Sequence, residues 1–111
     1  MELLSNELEN YLGNHCDPEG TLLQHINRET HLKVLMPRML SGHYQGRVLG
    51  MLSNMIRPSR ILEIGTFTGY ATLCLAEGLT ENGMLHTIDI NQELESMVRG
   101  NFLKSDFNTR I

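Results

Sequence analysis

Two glycines separated by three residues follow an apolar run and form the strongest signal for chemistry in this chain. The run 61–64 has the character of a buried parallel strand, and Gly65 and Gly69 then open a turn into a helical pattern. A strand–turn–helix corner directs backbone N–H groups towards whatever lies beyond the carboxyl end of the strand. The pattern therefore predicts a ligand-binding corner.

A second strand pattern ends in a carboxylate. The residues 85–88 are followed by Asp89, and an acid at this position can accept hydrogen bonds from the hydroxyls of a ribose. The alternative is that Asp89 caps the helix that follows, although Asn91 could also do so. We favour the ribose role because the glycine corner precedes it.

Glu63 and the glycine spacing narrow the class of ligand. The spacing lacks the extra glycine of G-x-G-x-x-G, which cradles a pyrophosphate, and a carboxylate at Glu63 would repel phosphate but could bind an amino group. The alternative is that Glu63 is only a paired acid at a strand end. These features favour S-adenosylmethionine over NAD, and an NAD-binding fragment is the weaker alternative. We expect Glu63 and Asp89 to face one pocket.

The remaining reactive residue types predict no further site. His15, Cys16 and Asp17 are adjacent and cannot easily converge on one metal ion. Cys16 and Cys74 are too few for a disulfide framework, which fits a reducing cytoplasm.

Composition limits the classes of function. The chain has 111 residues, 41% of them hydrophobic and 20% charged, with a net charge of −4. These values predict one soluble globular domain at most and argue against nucleic acid as a partner. The sequence shows neither an apolar run long enough to cross a membrane nor a basic secretory start. We therefore expect a cytoplasmic protein.

The elements that position these residues are read from periodicity and from helix-start and helix-stop signals. We expect strands at 60–64 and 84–89, the start of a third strand at 109–111, and helices at 2–12, 17–36, 41–56, 68–79 and from Asn91 onward. Residues 1–57 would then supply N-terminal helices, and residues 58–111 a β-α-β-α unit. This order is that of an α/β fold, the first half of a Rossmann-like doubly wound sheet.

The residues of this unit resemble a known family. The strings Leu62-Glu63-Ile64-Gly65-Thr66-Phe67-Thr68-Gly69-Tyr70 and Thr87-Ile88-Asp89-Ile90 resemble the catechol and caffeoyl-CoA type of S-adenosylmethionine-dependent O-methyltransferase. The resemblance extends over most of the chain beyond about Asp17. It implies methyl transfer from the cofactor to a hydroxyl of a small acceptor.

The resemblance also implies residue roles, all of them in binding the cofactor. Its methionine part would contact Ser41, Gly42 and Glu63, its sulfonium and ribose Gly65, Thr66, Phe67 and Asp89, and its adenine Ile90. The family usually has Ser at the position of Ala71, where it contacts the cofactor carboxylate. Thr72 or backbone N–H groups would have to replace that contact.

What the resemblance places in a C-terminal half is not found here. The family's ligands for a divalent, magnesium-like metal, its catalytic Lys and most of its acceptor pocket have no counterpart in this sequence, so we assign no catalytic or metal-ligating residue. We expect the chain alone to be inactive.

The resemblance and the uncovered faces of a half-sheet suggest a homodimer. Its contacts would come from the first helix (Leu4, Leu8, Leu12) and a stripe on the third (Val48, Leu49, Leu52, Met55, Ile56). The alternative function is that of a non-catalytic, truncated module that binds the cofactor or a partner chain.

Overall fold

The computed structural model describes residues 4–111. Its elements, in chain order, are α1 (Asn6–His15), α2 (Thr21–Lys33), α3 (Gly42–Ile56), β1 (Arg60–Ile64), α4 (Tyr70–Ala76), β2 (Met84–Ile88) and α5 (Glu95–Leu103). Short 3-10 turns lie at Pro37–Met39, Gln92–Leu94 and Asn108–Arg110. The α/β architecture predicted from the sequence is confirmed.

The two strands pair in parallel, with Glu63 opposite Thr87 and Ile64 opposite Ile88. One face of this pair packs against α4, because Leu85 is buried there with Ala76 and Leu79. The other face is apolar but open: Leu62, Ile64 and Ile88 are 65%, 82% and 54% exposed. Parallel sheets are normally covered on both faces. This pair is covered on one face by the described residues.

The core joins the N-terminal helices to the β-α-β-α unit. Ile26 of α2 packs with Leu73 and Cys74 of α4 and with Phe102 of α5. Helices α3 and α4 approach closely because Gly46 has no side chain. A Cβ atom at this position would lie only 2.8 Å from the Cys74 sulfur. The same interface holds the Arg47–Glu77 ion pair, whose N–O distance is 2.5 Å.

The boundaries of the first two helices differ from those predicted. Helix α1 continues through Gly13 to His15, and the predicted start at residue 2 lies outside the described residues. Helix α2 begins at Thr21 rather than at Asp17, because the carbonyl of Asp17 accepts a hydrogen bond from the His43 ring and Glu19 accepts one from the Tyr70 hydroxyl.

Two later expectations are also wrong. Helix α2 ends at Lys33 rather than near Met36, which adopts a left-handed conformation (φ 55°) immediately before Pro37. Residues 109–111 do not start a third strand. The chain forms the 3-10 turn Asn108–Arg110 there, because the Arg110 N–H donates to the Phe107 carbonyl. The Arg110 guanidinium donates a further hydrogen bond to the Thr80 carbonyl.

No helix within residues 4–111 is both long enough and apolar enough to span a bilayer.

Two glycine-to-alanine substitutions should have opposite effects on stability. A methyl group on Gly78 would overlap the backbone carbonyl of Ser53, so we expect Gly78→Ala to lower the free energy of unfolding by about 1–3 kcal/mol. Gly100 lies inside α5 with no atom near its missing Cβ, so Gly100→Ala should raise that free energy by up to about 1 kcal/mol. Urea unfolding followed by circular dichroism measures both. Equal midpoints for the two variants would contradict the packing described here.

Candidate functional site

The turn between β1 and α4 is built on left-handed backbone. Gly65 (φ 99°), Phe67 (φ 50°) and Gly69 (φ 90°) all have positive φ. The Gly65 N–H donates to the Ile88 carbonyl at 2.7 Å, and the Gly69 N–H donates to the Thr66 carbonyl at 2.9 Å. A positive φ favours glycine, so Phe67 is the strained member of the turn.

The two glycines serve different purposes in this turn. The space where a Gly65 side chain would project is empty, which leaves the backbone open to close approach by a ligand. A Cβ atom on Gly69 would lie 2.7 Å from the Phe102 ring, so this glycine allows α5 to pack against the turn.

Asp89 ties the turn to the end of β2. One carboxylate oxygen accepts a hydrogen bond from the Phe67 N–H at 2.8 Å, and the other accepts one from the Asn91 N–H at 2.9 Å. These backbone donors hold the pKa of Asp89 below its usual value, so the side chain is an anion at neutral pH. Asn91 in turn accepts from the Glu93 N–H at 3.1 Å and caps the 3-10 turn Gln92–Leu94.

Asp89 thus has a structural role as well. The sequence analysis considered a capping role for Asp89 or for Asn91, and in the structure both side chains accept hydrogen bonds from backbone N–H groups. The Asp89 side chain is exposed, and each carboxylate oxygen has a second acceptor position beyond the one used by the backbone. It can therefore hold the turn and still accept hydrogen bonds from a ligand.

Glu63 is a half-buried acid that is partly satisfied. Its Oε1 atom accepts hydrogen bonds from the hydroxyls of Thr72 and Thr87, the second at 2.7 Å. Burial is the largest influence and raises the pKa of Glu63, the two hydroxyls oppose it, and the nearby charge of Asp89 adds to it.

The other carboxylate oxygen of Glu63 is available. Oε2 accepts no hydrogen bond from the described residues, and it is absent from their buried unpaired polar atoms. It is therefore not fully buried. Glu63 is both the paired acid of the sequence-based alternative and an acceptor with one free oxygen.

A cavity of about 630 Å³ lies beside the turn and β2. Its lining includes Thr66, Phe67, Thr87 and Asp89 together with residues of α5. Glu63 is not part of this lining. Glu63 and Asp89 were expected to face one pocket, but they do not both lie on the wall of this cavity. Glu63 reaches the cavity through Thr87, to which it is hydrogen-bonded.

The other predicted site residues lie around this arrangement. Ser41 and Gly42 (φ 81°) are at the start of α3, and the Ser41 side chain makes no capping hydrogen bond. Ile90 is 96% exposed directly after Asp89.

Ala71 lies in the first turn of α4, next to Thr72. The single hydroxyl proton of Thr72 is used on Glu63, so it cannot also replace the serine that the family usually has at Ala71. Backbone N–H groups are the remaining replacement of the two considered from the sequence.

Thr87 is the residue that sequence reasoning missed. Alternation along a strand places Thr87 two residues before Asp89 on the same face, and parallel pairing places it opposite Glu63. Periodicity therefore carried a signal for Thr87, but the pairing register was needed to interpret it.

Within residues 4–111, no group of three or more His, Cys, Asp or Glu side chains converges as a metal site requires. The described residues thus do not fit a divalent metal.

Comparisons with known proteins agree with this geometry. Two solved structures superpose with TM-scores of 0.85: the O-methyltransferase TomG from Streptomyces achromogenes in complex with SAM (26% identity, 95% of this chain) and an O-methyltransferase from Bacillus cereus in complex with SAH (27% identity, 94% of this chain). This chain covers 47% of each of them. The alignment over nearly the whole chain identifies the fold as that of Rossmann-like methyltransferases.

Curated relatives match over shorter stretches. The catechol O-methyltransferase of Mycobacterium tuberculosis is 30% identical over 76 residues, which are 68% of this chain and 34% of that protein. Caffeoyl-CoA O-methyltransferase 2 of Petunia hybrida is 41% identical over 55 residues, which are 50% of this chain and 23% of that protein. The matched stretches thus cover about a third or less of these relatives.

A sequence model of one family, described as O-methyltransferase, matches residues 14–111. This match takes in α2 and α3 as well as the turn with Glu63 and Asp89. With the fold, the strand-end acids and the glycine turn in place, this chain belongs to the O-methyltransferase family.

Proposed function

We propose that this chain is the S-adenosylmethionine-binding part of an O-methyltransferase that acts on a small hydroxylated acceptor. One observation carries the proposal: Asp89 holds the glycine turn through one carboxylate oxygen, which accepts from the Phe67 N–H, and the Asn91 N–H through the other, while its side chain stays exposed to solvent. The solved relatives that contain SAM and SAH support this ligand class.

The described residues suit the three chemical parts of this ligand. Asp89, as an anion, accepts hydrogen bonds from the two ribose hydroxyls. Gly65 leaves its backbone open beside the sulfonium and ribose. The free Oε2 of Glu63 accepts from the ammonium of the amino-acid end, where opposite charge strengthens the bond.

When bound, S-adenosylmethionine supplies a methyl group made electrophilic by its sulfonium. The task of this chain is then to hold that group in one orientation, because positioning the reactants contributes much of the rate of such a transfer. Asp89 fixes the ribose and Glu63 the amino-acid end of the ligand, and the turn between them is held by backbone hydrogen bonds that need no rearrangement. We assign no proton transfer to this chain.

The acceptor and a divalent metal belong to a complete protein. We propose a catechol-like hydroxylated acceptor, because relatives named for catechol and caffeoyl-CoA match this chain. The described residues offer no metal cluster, so no step is routed through a metal here. We propose that this chain alone binds the cofactor without turning over an acceptor, and that it does so in the cytoplasm.

The second part of the proposal is a homodimer. The apolar surface that supports it would also suit the alternative function, a module that binds a partner chain. The predicted stripe on α3 divides in the structure: Leu49 packs against the core, whereas Leu52, Met55 and Ile56 are exposed together with Met51. Contiguous exposed apolar side chains on one helix are typical of an interface.

Asp89→Ala should weaken binding of S-adenosylhomocysteine by about 1–3 kcal/mol, because charged hydrogen bonds to the ribose are lost. An analogue without the 2′- and 3′-hydroxyls separates this effect from damage to the turn. The analogue should bind the wild-type chain more weakly than S-adenosylhomocysteine does, and the variant should not distinguish the two ligands. Titration calorimetry measures these affinities.

The control for Asp89→Ala is Glu81→Ala, which removes the same charge from an exposed turn at the opposite ends of the strands. It should bind as the wild type does. NAD should not compete. A variant at Asp89 that still discriminates between the two ligands would refute the ribose role.

Binding of S-adenosylhomocysteine should weaken as the pH falls from 7 towards 4.5, the ordinary pKa of a glutamate. The pKa of free Glu63 is raised above 4.5, so the carboxyl takes up its proton within this window and loses its attraction for the ammonium. Asp89, whose pKa is lowered, stays ionised through the window.

Glu63→Gln tests this pH dependence. This variant should bind S-adenosylhomocysteine about 10–100-fold more weakly at pH 7, in line with the loss of a charged hydrogen bond. Its affinity should also lack the part of the pH dependence that is due to Glu63. Subtracting its pH profile from that of the wild type removes contributions from other groups. Identical profiles would contradict the ammonium role.

Met55→Glu should convert a dimer into a monomer, because it places a charge in the exposed apolar surface of α3. Gln45→Glu, at an exposed polar position on the same helix, is the matched control and should stay dimeric. Sedimentation velocity distinguishes the two states. A wild-type chain that sediments at 12.6 kDa would refute the dimer.

A further inference from the structure

A threonine hydroxyl lies between the two acids of the candidate site. We propose that Thr87 is a positioning residue, which fixes the carboxylate of Glu63 for the amino-acid end of the cofactor; this inference rests on the proposed function. Thr87 is not among the residues to which the family resemblance gave a role.

The hydrogen bonds around Thr87 form a series in which each hydroxyl donates to the next group. Its hydroxyl donates to Glu63 Oε1 at 2.7 Å and lies 2.5 Å from the hydroxyl of Thr66. An ionised carboxylate only accepts, so the single proton of Thr87 is used on Glu63. Thr66 must then be the donor to Thr87. The order is Thr66 to Thr87 to Glu63.

Backbone pairing fixes the last of these hydrogen bonds, from Thr87 to Glu63. Thr87 lies directly opposite Glu63 in the parallel register, so their side chains leave the same face of the sheet. Thr87 also lines the cavity together with Thr66 and Asp89, whereas Glu63 does not. Thr87 is therefore the residue through which Glu63 is connected to the cavity wall.

The orientation of the Glu63 carboxylate depends on Thr87 more strongly than the conformation of the turn does. Two hydroxyls hold Oε1, and loss of the one from Thr87 leaves Thr72 as its donor among the described residues. The turn, by contrast, keeps hydrogen bonds that do not involve Thr87, from the Gly65 N–H, the Gly69 N–H and the Phe67 N–H. Removing the Thr87 hydroxyl should therefore free the carboxylate of Glu63 to rotate while the turn persists.

Two ligands report on the two ends of the site separately. S-adenosylhomocysteine carries the amino-acid end, and 5′-methylthioadenosine has the adenosine and thioether without it. Thr87→Val keeps the shape and the β propensity of the side chain but removes the hydroxyl. Thr87→Ser keeps the hydroxyl. Thr80→Val, at the opposite ends of the strands, controls for the exchange of threonine for valine.

The experiment is calorimetric titration of the 111-residue chain and its variants with both ligands. We expect Thr87→Val to bind S-adenosylhomocysteine about tenfold more weakly, the size of one hydrogen bond, and to bind 5′-methylthioadenosine within about twofold of the wild type. Thr87→Ser should restore the affinity for S-adenosylhomocysteine, and Thr80→Val should leave both affinities unchanged.

The outcomes separate this inference from the proposed function. If the wild type binds both ligands and Thr87→Val binds S-adenosylhomocysteine equally well, the role of Thr87 is refuted and the proposed function stands. If Thr87→Val loses both ligands to the same extent and Thr87→Ser does not recover them, Thr87 has a general structural role and the inference is again refuted. A wild-type chain that binds neither ligand refutes the proposed function and this role with it.

Discussion

The carboxylate of Asp89 is the interaction on which the site depends. It joins the end of β2 to the turn that follows β1, through N–H groups of Phe67 and Asn91 that would otherwise have no such acceptor. The turn contains a non-glycine residue with positive φ, a conformation that costs free energy. A charged acceptor aimed at the Phe67 N–H offsets part of that cost, so the strained backbone and the ligand-facing anion are held by the same side chain.

Glu63 shows the opposite balance between burial and hydrogen bonding. Burial raises its pKa, while the exposed Asp89, supplied by backbone donors, has its pKa lowered. The two acids thus differ in how readily they take up a proton although both come from strand ends. A cationic group beside Glu63 would favour its ionised form, whereas Asp89 needs no ligand for this. Carboxyl groups with perturbed pKa values cluster at functional sites.

Much of this arrangement could be predicted from the sequence, and the errors have physical causes. The apolar run and the two glycines located β1 to the residue, because an apolar run that ends at a glycine turn leaves little choice of boundary. The start of α2 was wrong because Asp17 and Glu19 make long-range contacts to His43 and Tyr70, which no local capping rule contains. The link between Thr87 and Glu63 depends on pairing between segments more than 20 residues apart, which periodicity alone does not fix.

The open face of the sheet has a consequence for how this chain behaves in solution. Leu62, Ile64 and Ile88 present an apolar strip on one face of the paired strands, a surface that favours association with other apolar surfaces when electrostatic repulsion is weak. The net charge of −4 supplies that repulsion at neutral pH, and it vanishes near the isoelectric point of 5.7. The colloidal stability of the chain should therefore be lowest in mildly acidic buffer, where the strip stays apolar and the molecules no longer repel one another.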